Sequence, residues 1–155
     1  MAIDDDISFY ERVPTLGLLG RQALRILAIG AESRYVHAGE VLFQAGEAAD
    51  AGYVIQEGSF SVKDDKAGEG NAVLGPGTLL GELALLTETK RPVTATAREP
   101  STVIRISRSL FLKMLEGYPD AAQRMRDAMM ARADQTSREI VNIRAALDAV
   151  RGRPG

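Results

Sequence analysis

The chain has 155 residues, 45% of them hydrophobic, which is enough for one compact domain with a core and too apolar for a disordered segment. Its 19 basic and 21 acidic residues give a formal net charge of -2, so the chain as a whole does not attract nucleic acid or anionic lipid, and any anion site must be local. The chain contains no cysteine and one histidine, His37, which excludes disulfides, iron–sulfur clusters and a cysteine nucleophile and disfavours a metal-dependent enzyme.

The N-terminal residues do not resemble a secretory signal. Three consecutive aspartates, Asp4–Asp6, stand where a signal peptide has basic residues. No apolar run approaches the roughly 18 residues that a transmembrane helix needs. We therefore expect a cytoplasmic protein without a membrane partner.

The first part of the chain, from Ile7 to Ala31, has the pattern of a helix. Apolar residues recur there near the helical period of about 3.6 residues; they are Leu16, Leu19, Ala23, Leu24, Leu27 and Ala28. Gly30 follows the last of them and predicts the end of this helix.

The second part, from Ser33 to Ser107, is typical of a β domain, because glycines separate short runs of strand-forming residues. Those runs are Val41–Phe43, Tyr53–Ile55, Phe60–Val62, Val93–Ala97 and Thr102–Ile106. Gln56–Ser59 is interpreted as a hairpin turn and Asp64–Asn71 as an exposed polar loop. Many short strands with frequent turns predict a β-sandwich, roll or barrel.

The third part, from Ser109 onward, is predicted to be helical. Ser109 lies near the N-cap of a short helix that ends before Gly117, and Pro119 suits the first turn of a second helix. Between Asp120 and Val150 there is no glycine or proline, which permits one long helix.

This predicted long helix carries a heptad pattern, in which seam residues alternate at spacings of four and three; they are Met129, Ala133, Thr136, Ile140, Ile143, Leu147 and Val150. The pattern favours a parallel seam between two copies of the chain, and the alternative is a helix packed on its own domain. Thr136 is the polar member of the seam and adjoins Ser137. A polar residue there costs stability unless it sets the register or contacts a ligand.

The segment Gly81–Ala97, GELALLTETKRPVTATA, contains residues suited to a nucleotide phosphate. A short helical turn at Glu82–Leu86 would present N–H groups to phosphate oxygens, and Gly81 would let the backbone approach the ligand. Nine residues after Glu82, Arg91 can bind two phosphate oxygens in a fork. Glu82 has the same sign as phosphate and can accept a hydrogen bond from a sugar hydroxyl. The alternative for Glu82 and Arg91 is a simple ion pair on a turn.

The pieces GELALL, TETK and RPVTATA of this segment resemble the phosphate-binding cassette of cyclic-nucleotide-binding domains. Ala38–Phe43 followed by Gly46–Glu47 resembles the family's early strand and turn, and Tyr53–Gly58 resembles its central hairpin. Met125–Val141 is similar to the dimer helix of the catabolite activator protein group. The resemblance implies a mainly β fold, a double-stranded β-helix (jelly roll or β-roll), with flanking helices and a long C-terminal helix.

The resemblance also implies roles for individual residues. Glu82 would bind the ribose 2′-hydroxyl and Arg91 the cyclic phosphate, to which the backbone of Leu83 and Ala84 would donate. Thr136 of one subunit and Ser137 of the other would contact the base, which favours cAMP with cGMP as the alternative. The predicted site comprises Gly81, Glu82, Leu83, Ala84, Arg91, Pro92, Val93, Thr136 and Ser137, with no catalytic residue and no metal ligand.

Pro92 departs from the family pattern, which has serine, threonine or alanine directly after the arginine. Proline has no N–H to donate to the phosphate. A lost hydrogen bond to a charged acceptor costs about 1.5–3 kcal/mol, or about one to two decades of affinity. The alternative function is therefore a dimerisation or interaction module that keeps the fold and binds nucleotide weakly or not at all.

We expect residues 1–118 to form the β-roll with an N-terminal helix and a short hinge helix, and residues 119–155 to form the dimerisation helix and a short basic tail. The expected protein is a homodimeric regulatory module in which ligand binding repositions the C-terminal helix, without a cofactor or enzymatic activity. DNA binding is not expected, because no helix-turn-helix domain follows the dimer helix in this sequence.

Overall fold

A computed structural model of the chain describes residues 2–63, 71–128 and 130–131. Its N-terminal region consists of helix α1 (Ala2–Glu11), a 3-10 helix (Leu16–Leu18) and helix α2 (Arg21–Gly30). The apolar period predicted a single helix here. Instead, Gly20 adopts φ 86° and ψ 156° and separates the 3-10 helix from α2. Glycine reaches this conformation without steric cost, so the periodic pattern continues across a break. The predicted end of α2 at Gly30 is confirmed.

The central region is a roll of short antiparallel strands. They are β1 (Glu32–Val36), β2 (Val41–Phe43), β3 (Ala48–Ala49), β4 (Ala51–Glu57), β5 (Phe60–Lys63), β6 (Asn71–Leu74), β7 (Leu79–Leu80), β8 (Thr89–Lys90), β9 (Thr94–Ala97) and β10 (Ser101–Ser107). One sheet has the order β1-β10-β4-β7, a second has the order β2-β9-β5-β6, and β3 pairs with β8. The predicted mainly β roll with flanking helices is thus confirmed.

The strand-forming runs of the sequence lie in strands, except that β9 begins at Thr94 and leaves Val93 outside, but the hairpin predicted at Gln56–Ser59 is wrong. The chain does turn there, with Gly58 at φ 89°. The flanking strands β4 and β5 nevertheless belong to different sheets: β4 pairs with β10 and β7, whereas β5 pairs with β6 and β9. The turn is therefore a corner between the two sheets of the roll, which local turn chemistry does not distinguish from a hairpin.

Two helices follow the roll. Helix α3 spans Arg108–Gly117, and its N-cap is Ser107, whose hydroxyl accepts the N–H of Leu110. Ser109, predicted to lie near the N-cap, is two residues after it, and Gly117, predicted to follow the helix, is its last residue. Helix α4 occupies residues 119–128, and residues 130 and 131 are also helical. The predicted helix start at Pro119 is confirmed.

The buried side chains form two clusters on opposite sides of the sheet that contains β4 and β10. The roll cluster lies between the two sheets and comprises Val36, Phe43, Tyr53, Ile55, Phe60, Leu80, Ala95, Ala97 and Val103. The helical cluster joins α1, α2, α3 and α4 to the outer face of the sheet, with members that include Tyr10, Leu24, Val54, Ile106 and Phe111. Because successive strand residues face opposite sides, Tyr53 and Ile55 enter the roll cluster while Val54 enters the helical cluster.

The heptad seam, from Met129 to Val150, and the base-contacting pair Thr136 and Ser137 lie outside the described residues. Homodimerisation and the division into residues 1–118 and 119–155 therefore stay predictions. Within the described ranges no helix is both long and apolar enough to cross a membrane.

Candidate functional site

The cassette predicted from sequence forms one side of a pocket of about 260 Å³. After β7, the chain turns at Gly81 into a 3-10 helix (Leu83–Leu85), continues through β8, and reaches Arg91 before β9. The structure brings six of the predicted site residues together around this pocket, with three further residues. The lining consists of Ala49, Gly81, Glu82, Leu83, Ala84, Thr89, Lys90, Arg91 and Pro92.

Gly81 is required here for two reasons. Its φ of 81° lies in the left-handed region that side chains other than glycine rarely adopt. A Cβ atom built on it would also lie 2.4 Å from Nη1 of Arg91. The absence of a side chain at Gly81 therefore allows the guanidinium to lie against the start of the cassette turn.

Arg91 is a buried cation inside the roll, with 5% of its surface exposed. Its backbone is fixed by two hydrogen bonds, from Arg91 N–H to the Glu47 carbonyl and from Gly46 N–H to the Arg91 carbonyl, both 2.8 Å. Its guanidinium carbon lies 4.4 Å from the ring centroid of Phe43 and 5.4 Å from that of Tyr53, in the range of cation–π attraction. The aromatic rings of the roll cluster thus hold the guanidinium in place.

The two terminal nitrogens of Arg91 differ in their hydrogen bonding. Nη2 donates to the Ala51 carbonyl at 2.8 Å. Nη1 is buried and has no hydrogen-bond partner among the described residues, where it is the one buried side-chain nitrogen or oxygen in that state. Burial lowers the pKa of Arg91 from its ordinary value, and the charges of Tyr53, Asp50 and Glu47 oppose that shift. A buried cation with an unused donor is costly unless an anion binds it.

The cassette turn orients its own N–H groups as a 3-10 helix does. Ala84 N–H donates to the Gly81 carbonyl, and Leu85 N–H donates to the Glu82 carbonyl, both at 3.1 Å. The predicted phosphate donor at Ala84 would therefore have to share or exchange this bond. Leu83 is exposed, whereas Leu85 is fully buried in the helical cluster and anchors the turn to the helices.

Glu82 lies at the N-cap of this turn and is tied to a residue that the sequence did not single out. The hydroxyl of Thr15, just before the first 3-10 helix, donates to Oε2 of Glu82. The two residues are 67 positions apart, so no local pattern could have indicated the contact. The N-terminal helices thereby reach the cassette directly.

Arg108, the first residue of α3, is the second functional neighbour that sequence reasoning missed. Its Nη1 donates to the carbonyls of Ala49 at 3.0 Å, Ala84 at 3.3 Å and Thr87 at 2.9 Å. Two of those carbonyls belong to the cassette. Arg108 therefore fastens the C-terminal end of the cassette turn to helix α3.

The remaining residues singled out in the sequence lie at the edge of the pocket or away from it. Pro92 is exposed at the rim of the pocket, and Val93 does not line it but packs against the roll cluster. His37 is exposed, and its backbone N–H donates to Oε1 of Glu40. Within the described ranges no group of three histidine, aspartate or glutamate side chains is arranged to hold a metal ion.

The fold and the pocket define a class of protein: an antiparallel roll that presents a buried arginine beside a glycine-started turn. A family model described as the cyclic nucleotide-binding domain matches residues 33–118, which is more than half of the chain. The chain belongs to the cyclic nucleotide-binding domain family. A solved cyclic nucleotide-binding-like protein from Brucella abortus is 39% identical, with a TM-score of 0.63, and the match covers 73% of this chain and 99% of that one.

More distant solved structures share the fold. The catabolite activator protein of Thermus thermophilus is 23% identical with a TM-score of 0.69, and the match covers 84% of this chain and 62% of that one. Among curated proteins, a lysophospholipase nte1 of Aspergillus terreus is 35% identical over 59% of this chain and 7% of its own length. An uncharacterised NTE family protein of Mycobacterium bovis is 34% identical over 76% of this chain and 20% of its own length. The chain thus spans a small part of these curated relatives.

Proposed function

We propose that this chain is a cAMP-responsive regulatory module in which Arg91 binds the cyclic phosphate. The observation that carries the proposal is Nη1 of Arg91, a buried donor without a protein partner among the described residues, at the wall of the pocket. A cyclic phosphate has one negative charge, so one guanidinium neutralises it, and burial strengthens the attraction because the local dielectric is low. An anion that accepts the Nη1 proton would offset the cost of the buried cation.

The carboxylate of Glu82 in the pocket supports a nucleotide rather than a free phosphate. Glu82 lies on the same cassette turn, and its carboxylate would repel the phosphate and accept a hydrogen bond from the ribose 2′-hydroxyl. Gly81 lies between β7 and Glu82 and leaves room for Arg91. A cation for phosphate and a carboxylate for ribose, on one short segment, suit a cyclic nucleoside monophosphate.

We assign recognition of the nucleotide base, and the structural response to binding, to the C-terminal region. We infer adenine recognition by Thr136 and Ser137 from their place in the heptad pattern and from the resemblance to the catabolite activator group. Two copies of the chain would pair along that seam. The Arg108 side chain joins the cassette to α3, so it would transmit a change in the cassette to α3. The helix that follows α3 would then move with α3. The proposed module performs no catalysis of its own.

Calorimetric titration with cAMP and cGMP tests the proposal. We expect saturable binding of one nucleotide per chain, with cAMP bound more tightly. Adenosine, which lacks the phosphate, is the matched control and should bind at least about 100-fold more weakly, because the charged hydrogen bonds at Arg91 are lost. Absence of saturation by either cyclic nucleotide up to millimolar concentration would contradict it.

The alternative is an interaction module that keeps the fold without using the nucleotide, and Pro92 favours it. Pro92 lines the pocket next to Arg91 and has no N–H to donate to a phosphate. Pro92→Ala restores that donor and should tighten cAMP binding by about 10- to 100-fold if the phosphate lies beside it. An unchanged, weak affinity in both proteins would favour the alternative.

A further inference from the structure

We propose that Thr15 is a positioning residue for Glu82 and that it determines how strongly the site selects a ribose over a deoxyribose. This inference rests on the proposed function, because it assumes that Glu82 accepts the ribose 2′-hydroxyl. It assigns a ligand-selecting role to a residue outside the roll, in the segment between α1 and α2. Thr15 would not touch the nucleotide itself.

The contact is a side-chain hydrogen bond between two elements that are far apart in sequence. Thr15 Oγ1 donates to Oε2 of Glu82. Thr15 is buried, with 8% of its surface exposed, and Glu82 is half-buried at the pocket wall. Because the bond is partly buried, it restricts the carboxylate more than a fully exposed contact would.

The backbone of Thr15 gives independent support. Its φ of 76° and ψ of -54° make it the one non-glycine residue with a positive φ in the described part of the chain. A β-branched residue is strained in this region, and such strain is concentrated at functional sites. The neighbours Val13 and Leu16 are buried in the helical cluster, and Gly17 N–H donates to the Val13 carbonyl at 2.9 Å, so the surroundings impose the strained turn.

Glycine would adopt this backbone conformation without strain, so the backbone alone gives no reason for threonine. What threonine adds is a hydroxyl on a side chain with few rotamers, aimed at Glu82. An ionised carboxylate has about four lone-pair sites, so it can accept the Thr15 hydroxyl and a ribose hydroxyl together. The bond to Oε2 would hold the carboxylate plane in the orientation that the 2′-hydroxyl needs.

The test compares cAMP with 2′-deoxy-cAMP on the wild type and on Thr15→Val, which keeps the shape and loses the hydroxyl. We expect the wild type to prefer cAMP. Thr15→Val should weaken cAMP binding by about fivefold and leave 2′-deoxy-cAMP binding unchanged, as one lost orienting hydrogen bond implies. Thr15→Ser, which keeps the hydroxyl, should restore the preference.

Thr15→Gly separates this role from folding. It relieves the positive φ, which opposes the loss of the hydrogen bond to Glu82, so the melting temperature should stay close to that of the wild type, yet the variant should lose the preference for cAMP as Thr15→Val does. This variant keeps the inference testable if Thr15→Val does not fold.

Four results would overturn the inference. Equal weakening of both ligands by Thr15→Val would show a structural role only, and tighter cAMP binding would show that Thr15 competes with the ribose. A wild type that binds neither ligand would overturn the proposed function and this inference with it. A wild type that discriminates, with a Thr15→Gly variant that discriminates equally well, would overturn this inference alone.

Discussion

Two arginines flank the cassette turn, Arg91 on its roll side and Arg108 on its helix side, and they use their guanidinium groups in opposite ways. Nη1 of Arg108 is shared among three backbone carbonyls. Nη1 of Arg91 is more deeply buried and has no partner within the described residues. Arg108 thus completes hydrogen bonds of the fold on the helix side of the turn. Arg91 keeps an unused donor on the roll side, which we propose for a ligand.

The two guanidinium groups differ because the two sides of the turn offer different numbers of backbone carbonyl acceptors. On the helix side, the end of a 3-10 turn exposes carbonyls that have no partners of their own, and an arginine at the start of α3 reaches them. On the roll side, Phe43 and Tyr53 surround Arg91 with aromatic rings, and β4 offers a single carbonyl, that of Ala51. The number of carbonyl acceptors around each guanidinium therefore distinguishes Arg108 from Arg91.

Removal of Arg91 should have the largest effect on binding and little effect on folding. Arg91→Met is expected to weaken cAMP binding by about 100-fold or more, because the charged hydrogen bonds to phosphate are lost. The free energy of unfolding should change by less than about 1 kcal/mol, since relief of a buried charge opposes loss of the Ala51 contact. Calorimetry and chemical denaturation measure the two quantities, and the exposed Arg98→Met is the control.

A matched pair of variants, Gly81→Ala and Gly77→Ala, tests whether the phosphate binds at Nη1 of Arg91. Both glycines have a positive φ, 81° and 88°, so each substitution should cost about 1–2 kcal/mol of unfolding free energy. A Cβ at Gly81 would displace Nη1 of Arg91, whereas a Cβ at Gly77 meets nothing within 4 Å. Only Gly81→Ala should weaken cAMP binding, by about tenfold or more. Equal affinities in the two variants would contradict the placement of the phosphate at Nη1.

Arg108→Ala tests the structural side of the comparison. Loss of the three carbonyl contacts should lower the unfolding free energy by about 1–2 kcal/mol. The effect on cAMP affinity should stay below that of Arg91→Met, since Arg108 fastens the turn without lining the pocket. Hydrogen exchange at the amides of residues 83–87 reports the loosened turn directly, and unchanged exchange there would refute the fastening role.

The smallest effect concerns Tyr10, a buried polar group of the helical cluster. Burial, assisted by the Asp6 charge, raises the pKa of Tyr10 above its ordinary value of 10.0. The unfolded chain releases this proton at lower pH than the folded protein does, so stability is unaffected below about pH 10 and falls as pH rises further. Tyr10→Phe should remove this alkaline loss, which denaturation at pH 8 and about pH 11 would measure.

The sequence located the pocket-lining segment because its residues lie close together in the chain. Gly81, Glu82 and Arg91 are within one short segment, and local rules for glycine, helical turns and charge placed them correctly at the pocket. The strand runs were also recognisable, since β-branched and aromatic residues mark them. The strands β3 and β8, with two residues each, are too short to show any periodicity.

What the sequence could not show depends on contacts between distant segments. The Thr15 bond to Glu82 spans 67 positions, and the Arg108 bond to the Thr87 carbonyl spans 21. Neither arises from a period or a turn motif; both depend on how the helical cluster packs against the sheet. The sheet-to-sheet corner at Gly58 resembles a hairpin turn in sequence for the same reason, because the pairing partners of β4 and β5 are set by the whole topology.

Binding of the cyclic phosphate by Nη1 of Arg91 should be visible in nitrogen-edited NMR of the arginine side chains. Addition of cAMP should shift and protect the Arg91 Nη signals and leave those of Arg108 unchanged. Adenosine at the same concentration should leave both unchanged. Saturable cAMP binding that does not alter the Arg91 signals would exclude Arg91 as the phosphate ligand.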